Sequence, residues 1–176
     1  DLAVLDSAQV AAFGTAQLSV MGTGQLAAIT TSAVTGIVTG GIAVFDSAQV
    51  GGLTTSQLNA LTSVQVQAIE TSDLSVLATA NLTQLDNDAV IALSSTQVSS
   101  LTTAQVMSLT TAQFDVLTTG QVAAFSTAQV AKLEVNDLAV LDSAQVAAFG
   151  TAQLSVMGTG QLVAITTSAV TGIVTG

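Results

Sequence analysis

One eight-residue phrase runs the length of the chain without losing register. Residues 101–132 read LTTAQVMS, LTTAQFDV, LTTGQVAA and FSTAQVAK. With position 1 set at Leu5, the 176 residues divide into twenty-two octads. Position 1 is Leu, Ile, Phe or Met in every octad, and position 6 is Val, Leu, Ile or Phe in every octad. Position 3 is Ser or Thr in 20 of the 22, with Asn87 and Val135 the exceptions, and position 5 is Gln in 14. Eight residues cannot enclose a core. A repeat this short must bury its two apolar positions against neighbouring copies, which is the logic of a solenoid.

A second period overlies the first. Asp1–Gly40 repeats as Asp137–Gly176 with one change, Ala27 to Val163, at an offset of 136 residues or 17 octads. Residues 1–176 therefore read as one continuous octad array carrying a 136-residue higher-order repeat. The chain opens at position 5 of one octad and stops at position 4 of another without an initiator Met. It reads as an excerpt from a longer protein.

The octad has the signature of a helix start. Thr102 and Gln105 stand three apart, the spacing of a capping box, and Thr110 with Gln113 and Asp142 with Gln145 repeat it. If Thr102 is the N-cap, Leu101 is N′ and Val106 is N4, the apolar pair of a hydrophobic staple. Position 2 is Asp, Thr, Ser or Gly in 17 of 22 octads, all favoured N-cap residues, and an acid there also opposes the helix dipole. The spacing predicts an all-α solenoid of very short helices, one per octad over positions 3 to 8. Its core includes Leu101, Val106, Leu109, Phe114, Leu117, Val122, Phe125 and Val130. A helix of six residues, about 9 Å long, is unstable alone. The small residues at positions 4, 7 and 8 let neighbouring backbones approach.

The alternative is a β-solenoid with about three octads per coil. Val and Thr favour strands, and stacked Thr and Gln can form ladders. Against it, positions 1 and 6 are an odd number apart and would face opposite sides of a straight strand. Ala at positions 4, 7 and 8 also suits a helix better.

Composition then removes functions. The chain has one Lys, Lys132, no Arg, His, Cys or Pro, eleven acids and a net charge of −10. Nucleic-acid binding requires many cations to displace counterions from phosphates, so no nucleic-acid partner is expected. Without His or Cys there is no soft metal site, no imidazole base and no thiol nucleophile. We expect no enzyme activity, no catalytic residue, no metal site and no cofactor. The stretch Ser7–Phe45 carries no charge, but Thr, Ser or Gln interrupts it every few residues, so no membrane span is expected.

Local features yield to bland readings. Asp86-Asn87-Asp88 resembles the start of a calcium loop but lacks its later Gly and Glu, so Asp86 is read as a cap, like Asp6, Asp46 and Asp142. Lys132 is a solvated position 8. Gly40-Gly41 and Gly51-Gly52 are read as breaks between octads, and the degenerate octads Ile37–Val44 and Leu133–Val140 as bends. As a cap alone, Gln105 should be worth only about 0.5–1 kcal/mol against Ala.

The phrases LTTAQV and STAQVAKL resemble the Thr/Gln/Val/Ala octads of giant repetitive bacterial cell-surface proteins of adhesin-like character. The resemblance spans all the octads. It implies an extracellular or cell-surface location and a scaffold or adhesion role, and it implies no catalytic residue. Together with the absence of any singular octad, it leads to an expected function: a structural protein that self-assembles into an extracellular filament, sheath or stalk. The alternative is an adhesin-type module presenting a Thr/Ser/Gln ladder to a glycan or regular surface. The chief expected partner is the chain itself, laterally or end to end.

Overall fold

The structure, a computed structural model, describes residues 2–165. Among these residues there is no strand, and short α-helices follow one another octad by octad. The helix Thr103–Ser108 is typical. It fills positions 3 to 8, and the next two residues are extended, Leu109 at φ −59°, ψ 141° and Thr110 at φ −78°, ψ 157°. The next helix, Thr111–Asp115, begins at once. Leu109 is thus both the C-cap of one helix and the N′ residue of the next. No described residue has positive φ, so these helices end without the left-handed glycine that commonly terminates helices.

The chain groups into two compact units, Asp1–Leu93 and Ser94–Gly176. Within each, a helix packs on the helix three octads away. In the first unit Ser7–Ala11 meets Thr31–Val34, Thr23–Ala27 meets Ser47–Gly52, and Ser63–Ala68 meets Asn87–Ala92. In the second, Ser95–Ser100 meets Thr119–Ala124 and Thr111–Asp115 meets Val135–Ala139. Each unit is a helical solenoid with turns of about three octads. The rival β-solenoid anticipated the length of a turn but not its secondary structure.

Positions 1 and 6 make the core. Leu101, Val106, Leu109, Phe114, Leu117, Val122, Phe125 and Val130 are all buried, none more than 6% exposed. Burial of each such side chain contributes about 1.5–3 kcal/mol, which is what holds helices too short to persist alone. Phe114 and Phe125 meet with ring centroids 6.2 Å apart, tilted by 31°.

The glycine pairs do not break the array. Gly40 and Gly41 lie inside the helix Thr39–Ile42, and Gly51 and Gly52 inside Ser47–Gly52. The degenerate octads Ile37–Val44 and Leu133–Val140 likewise carry helices, Thr39–Ile42 and Val135–Ala139. What these glycines supply is proximity. A Cβ at Gly52 would lie 2.7 Å from the Thr23 Cβ. One at Gly36 would overlap the Ser7 carbonyl, and one at Gly41 the Leu18 side chain. The small residue is needed where one turn presses on the next.

If positions 1 and 6 carry the fold, a charge in either place is intolerable. Val106→Asp and Leu109→Asp should each cost more than about 3 kcal/mol, because a buried carboxylate there has no partner. The check is urea denaturation followed by far-UV circular dichroism. Parent-like midpoints would remove these residues from the core.

Candidate functional site: the glutamine column

Position 5 does more than the capping box requires. The local half is present as the spacing predicts. The Thr102 N–H donates to Gln105 Oε1 at 2.8 Å, and the Gln105 N–H donates to Thr102 Oγ1 at 3.2 Å. Thr110 and Gln113 exchange the same pair at 2.8 and 3.3 Å. Asp142 and Gln145 do so at 2.6 and 2.7 Å. Where position 2 is glycine, as at Gly14, Gly22 and Gly150, only the glutamine half forms.

The other end of the amide reaches a different turn. Gln129 is 2% exposed. Its Nε2 donates to Val98 O at 3.1 Å and Leu101 O at 2.7 Å, 31 and 28 residues earlier, while its Oε1 accepts from the Ser126 N–H at 2.6 Å. Gln153 bonds Val122 O and Phe125 O in the same way, at 3.3 and 2.6 Å. Gln161 bonds Val130 O and Leu133 O at 2.9 and 2.8 Å. In the first unit Gln49 bonds Leu18 O and Met21 O, both at 2.8 Å, and Gln57 bonds Leu26 O and Ile29 O, both at 2.7 Å.

The acceptors are the carbonyls of positions 6 and 1. Those groups lie at the end of a helix, where the position 6 carbonyl takes only a short bond from the next position 1 N–H, as Val98 O does from Leu101 at 3.3 Å. One glutamine therefore caps two helix ends: the N-terminus of its own helix and the C-terminus of a helix one turn earlier. Buried carbonyls that a glycine motif would satisfy are satisfied by the column instead.

Octads without glutamine show substitutes. Octad Leu85–Ala92 has Ala89 at position 5. Asp86 caps that helix through the Ala89 N–H at 2.9 Å, and the Asp86 N–H donates to Asn59 Oδ1 at 3.1 Å. Asn59 also donates to Gln84 O at 3.1 Å, so a side chain from the previous turn covers the joint. Asp86-Asn87-Asp88 thus opens the helix Asn87–Ala92 and is occupied in capping it. Among the described residues no cluster of three or more metal-ligating side chains occurs.

Asp73 and Asp137 replace the glutamine with a buried carboxylate. Asp73 accepts from the Ser47 hydroxyl at 2.6 Å and Asp137 from the Thr111 hydroxyl at 2.8 Å. Burial holds the Asp137 carboxyl above its ordinary 3.8; the Thr111 hydroxyl opposes that rise, and the charge of Glu134 adds to it. These two acids were not singled out by sequence, although the departure from Gln at position 5 marks both.

A cavity of about 20 Å³ in the first unit is lined only by apolar side chains, among them Leu58, Val66 and Leu77. A water molecule there would lack the polar partners it needs. Lys132 is exposed. No helix among the described residues is long and apolar enough to cross a membrane.

Two outcomes follow from the column. Gln129→Ala should cost about 2–4 kcal/mol, since it takes a donor from Leu101 O, leaves Val98 O with only its short backbone bond, and removes a cap, against about 1 kcal/mol for Ser126→Ala. Equal losses in urea denaturation would reduce Gln129 to a simple cap. For Asp137, a raised folded-state value means protonation favours the fold. That contribution is fully present below 3.8 and is lost as pH rises through the raised folded value. The stability of Asp137→Asn relative to the parent should therefore grow as pH rises from below 3.8 towards neutrality. A difference independent of pH, measured by thermal melting across that range, would contradict the buried-carboxylate reading.

The sequence pattern of the ALTTAQ repeat matches residues 1–31, 66–103, 99–127 and 130–167, well over half of the chain. No curated protein and no solved structure matches it. The repeat that the pattern describes is the unit whose threonine, glutamine and apolar positions build the column and core. The chain belongs to the ALTTAQ repeat family.

Proposed function

We propose that this chain is a structural, non-catalytic repeat protein that self-assembles into an extracellular filament, sheath or stalk. The observation that carries the reading is the glutamine column. It joins one turn to the next through backbone carbonyls, which every octad presents whatever its side chains. A joint of that kind extends without limit and singles out no octad for a unique chemical task. The bacterial cell-surface setting and adhesin-like character belong to the same proposal. They rest on the likeness of LTTAQV-type octads to those of giant surface proteins.

Adhesion to a glycan or regular surface is the second reading. The glutamines of a Thr/Ser/Gln ladder are largely unavailable for it, because Gln129, Gln145 and Gln153 spend their amides within the fold. What remains are position 3 hydroxyls such as Thr119 and Thr127, which are exposed.

A net charge of −10 opposes association until salt screens it. Sedimentation velocity should find assemblies that grow with protein concentration, and more at about 150 mM than at about 10 mM ionic strength. A monomer throughout, with binding to a glycan array, would move the assignment to adhesion. Surface labelling of intact source cells with an antibody to the chain tests the location; signal confined to the cell interior would overturn it.

A further inference from the structure

Position 5 loses its glutamine for a whole turn at one place in the sequence. The octads Ile69–Val76, Leu77–Gln84 and Leu85–Ala92 carry Asp73, Asn81 and Ala89 there, and no other three successive octads lack glutamine. The turn before, Phe45–Ala68, is tied back by every octad. Gln49, Gln57 and Gln65 are buried, and each donates to carbonyls of the turn it follows, Gln65 to Val34 O at 3.1 Å and to Ile37 O at 2.7 Å. At the same separations of 31 and 28 residues, Asp73 stands opposite Ile42 O and Phe45 O, Asn81 opposite Val50 O and Leu53 O, and Ala89 opposite Leu58 O and Leu61 O. Among the described residues no side chain donates to any of these six carbonyls.

The polar links across this joint lie towards its rim. Asp73 accepts from the Ser47 hydroxyl at 2.6 Å, and the exposed bonds of Asn59 reach Gln84 O and the Asp86 N–H, both at 3.1 Å. The helices Thr71–Leu74 and Thr79–Leu82 have four residues each, and their N-caps, Glu70 and Ala78, make no side-chain cap bond. Packing is thin at the same joint. The cavity of about 20 Å³ is walled by Leu58, Leu61 and Val66 from the earlier turn and by Leu74, Leu77 and Ala89 from the later one. Ala89 stops at Cβ, where a glutamine would carry its stem and amide onward. Wall atoms that face a void forfeit the dispersion partners that close packing supplies.

We infer that the joint between the turns Phe45–Ala68 and Ile69–Ala92 is a release point built into the array, where the stack parts while glutamine-tied joints stay closed. Three separate deficits coincide there: no amide takes the earlier turn's carbonyls, two of the three helices start without a side-chain cap, and the core holds a void. A protein opens locally where few buried contacts and few polar links resist it. Both turns belong to the unit Asp1–Leu93, so the opening is internal to that unit. It uncovers the apolar edges formed by Leu58, Val66, Leu74 and Leu77. The rim bonds of Ser47 and Asn59 set the register in which the two turns close again.

Backbone hydrogen exchange of the whole chain, resolved by NMR under native conditions, tests this at matched octad positions. Leu74 N–H donates to Glu70 O and Leu82 N–H to Ala78 O, as Val122 N–H does to Thr118 O and Val130 N–H to Ser126 O. The last two lie in turns tied by Gln129, Gln153 and Gln161. Leu74 and Leu82 should exchange at least about tenfold faster than Val122 and Val130. Equal rates at all four would overturn the release point, and that comparison needs no variant. Asn81→Gln with Ala89→Gln then offers amides to Val50 O, Leu53 O, Leu58 O and Leu61 O and fills the cavity. It should slow Leu74 and Leu82 to the rate of Val130. Parental rates in a variant with parental circular dichroism would show that the missing amides do not govern the opening, and would equally overturn the inference.

Discussion

Everything in this fold depends on a single side-chain amide doing two jobs. A helix of six residues leaves nearly all its N–H and C=O groups without intrahelical partners. In an ordinary protein such ends are few and face water. Here an end occurs every eight residues and many are buried, so the array needs a capping device as periodic as the octad. The position 5 glutamine is that device. Its oxygen takes the N-cap N–H of its own helix, and its NH₂ takes two carbonyls one turn away, as in Gln57 with Thr54, Leu26 and Ile29. A glutamate would supply the first job and ruin the second. An asparagine, shorter by one methylene, would reach the carbonyls poorly.

The amide also links the polar and apolar halves of the design. The carbonyls it takes belong to positions 6 and 1, the same residues whose side chains form the core. Stacking the turns at the distance that buries Val98 and Leu101 places their carbonyls at 3.1 and 2.7 Å from Gln129 Nε2. Packing and hydrogen bonding therefore set one spacing together. Close-contact glycines such as Gly36 and Gly52 keep that spacing where the turns press hardest.

How much of this could be read from sequence follows from the range of each interaction. The capping box and the staple were legible because Thr102, Gln105, Leu101 and Val106 lie within one octad, where helical geometry alone fixes who meets whom. The second bond of each glutamine was not. Its partners stand 28 and 31 residues back, a separation set by the number of octads per turn, which no local pattern states. The same gap hid the second bond of Gln129 behind its role as a cap. It also made Gly41 and Gly52 look like breaks, since glycine within a helix and glycine ending one read alike until the neighbouring turn is placed. Asn59 is a further case: its role at the Asp86 joint exists only across turns.

The most direct measurement of the dual-cap account is hydrogen exchange at the glutamine side-chain amides, resolved by NMR on the unmodified protein under conditions where it is monomeric. The account predicts slow exchange for the Nε2 protons of Gln57, Gln129, Gln153 and Gln161, and exchange at the rate of a free amide for Gln67 and Gln84, which are exposed outside the column. Uniformly fast exchange at all of these positions would contradict it, and would leave the octads stacked by their apolar residues alone.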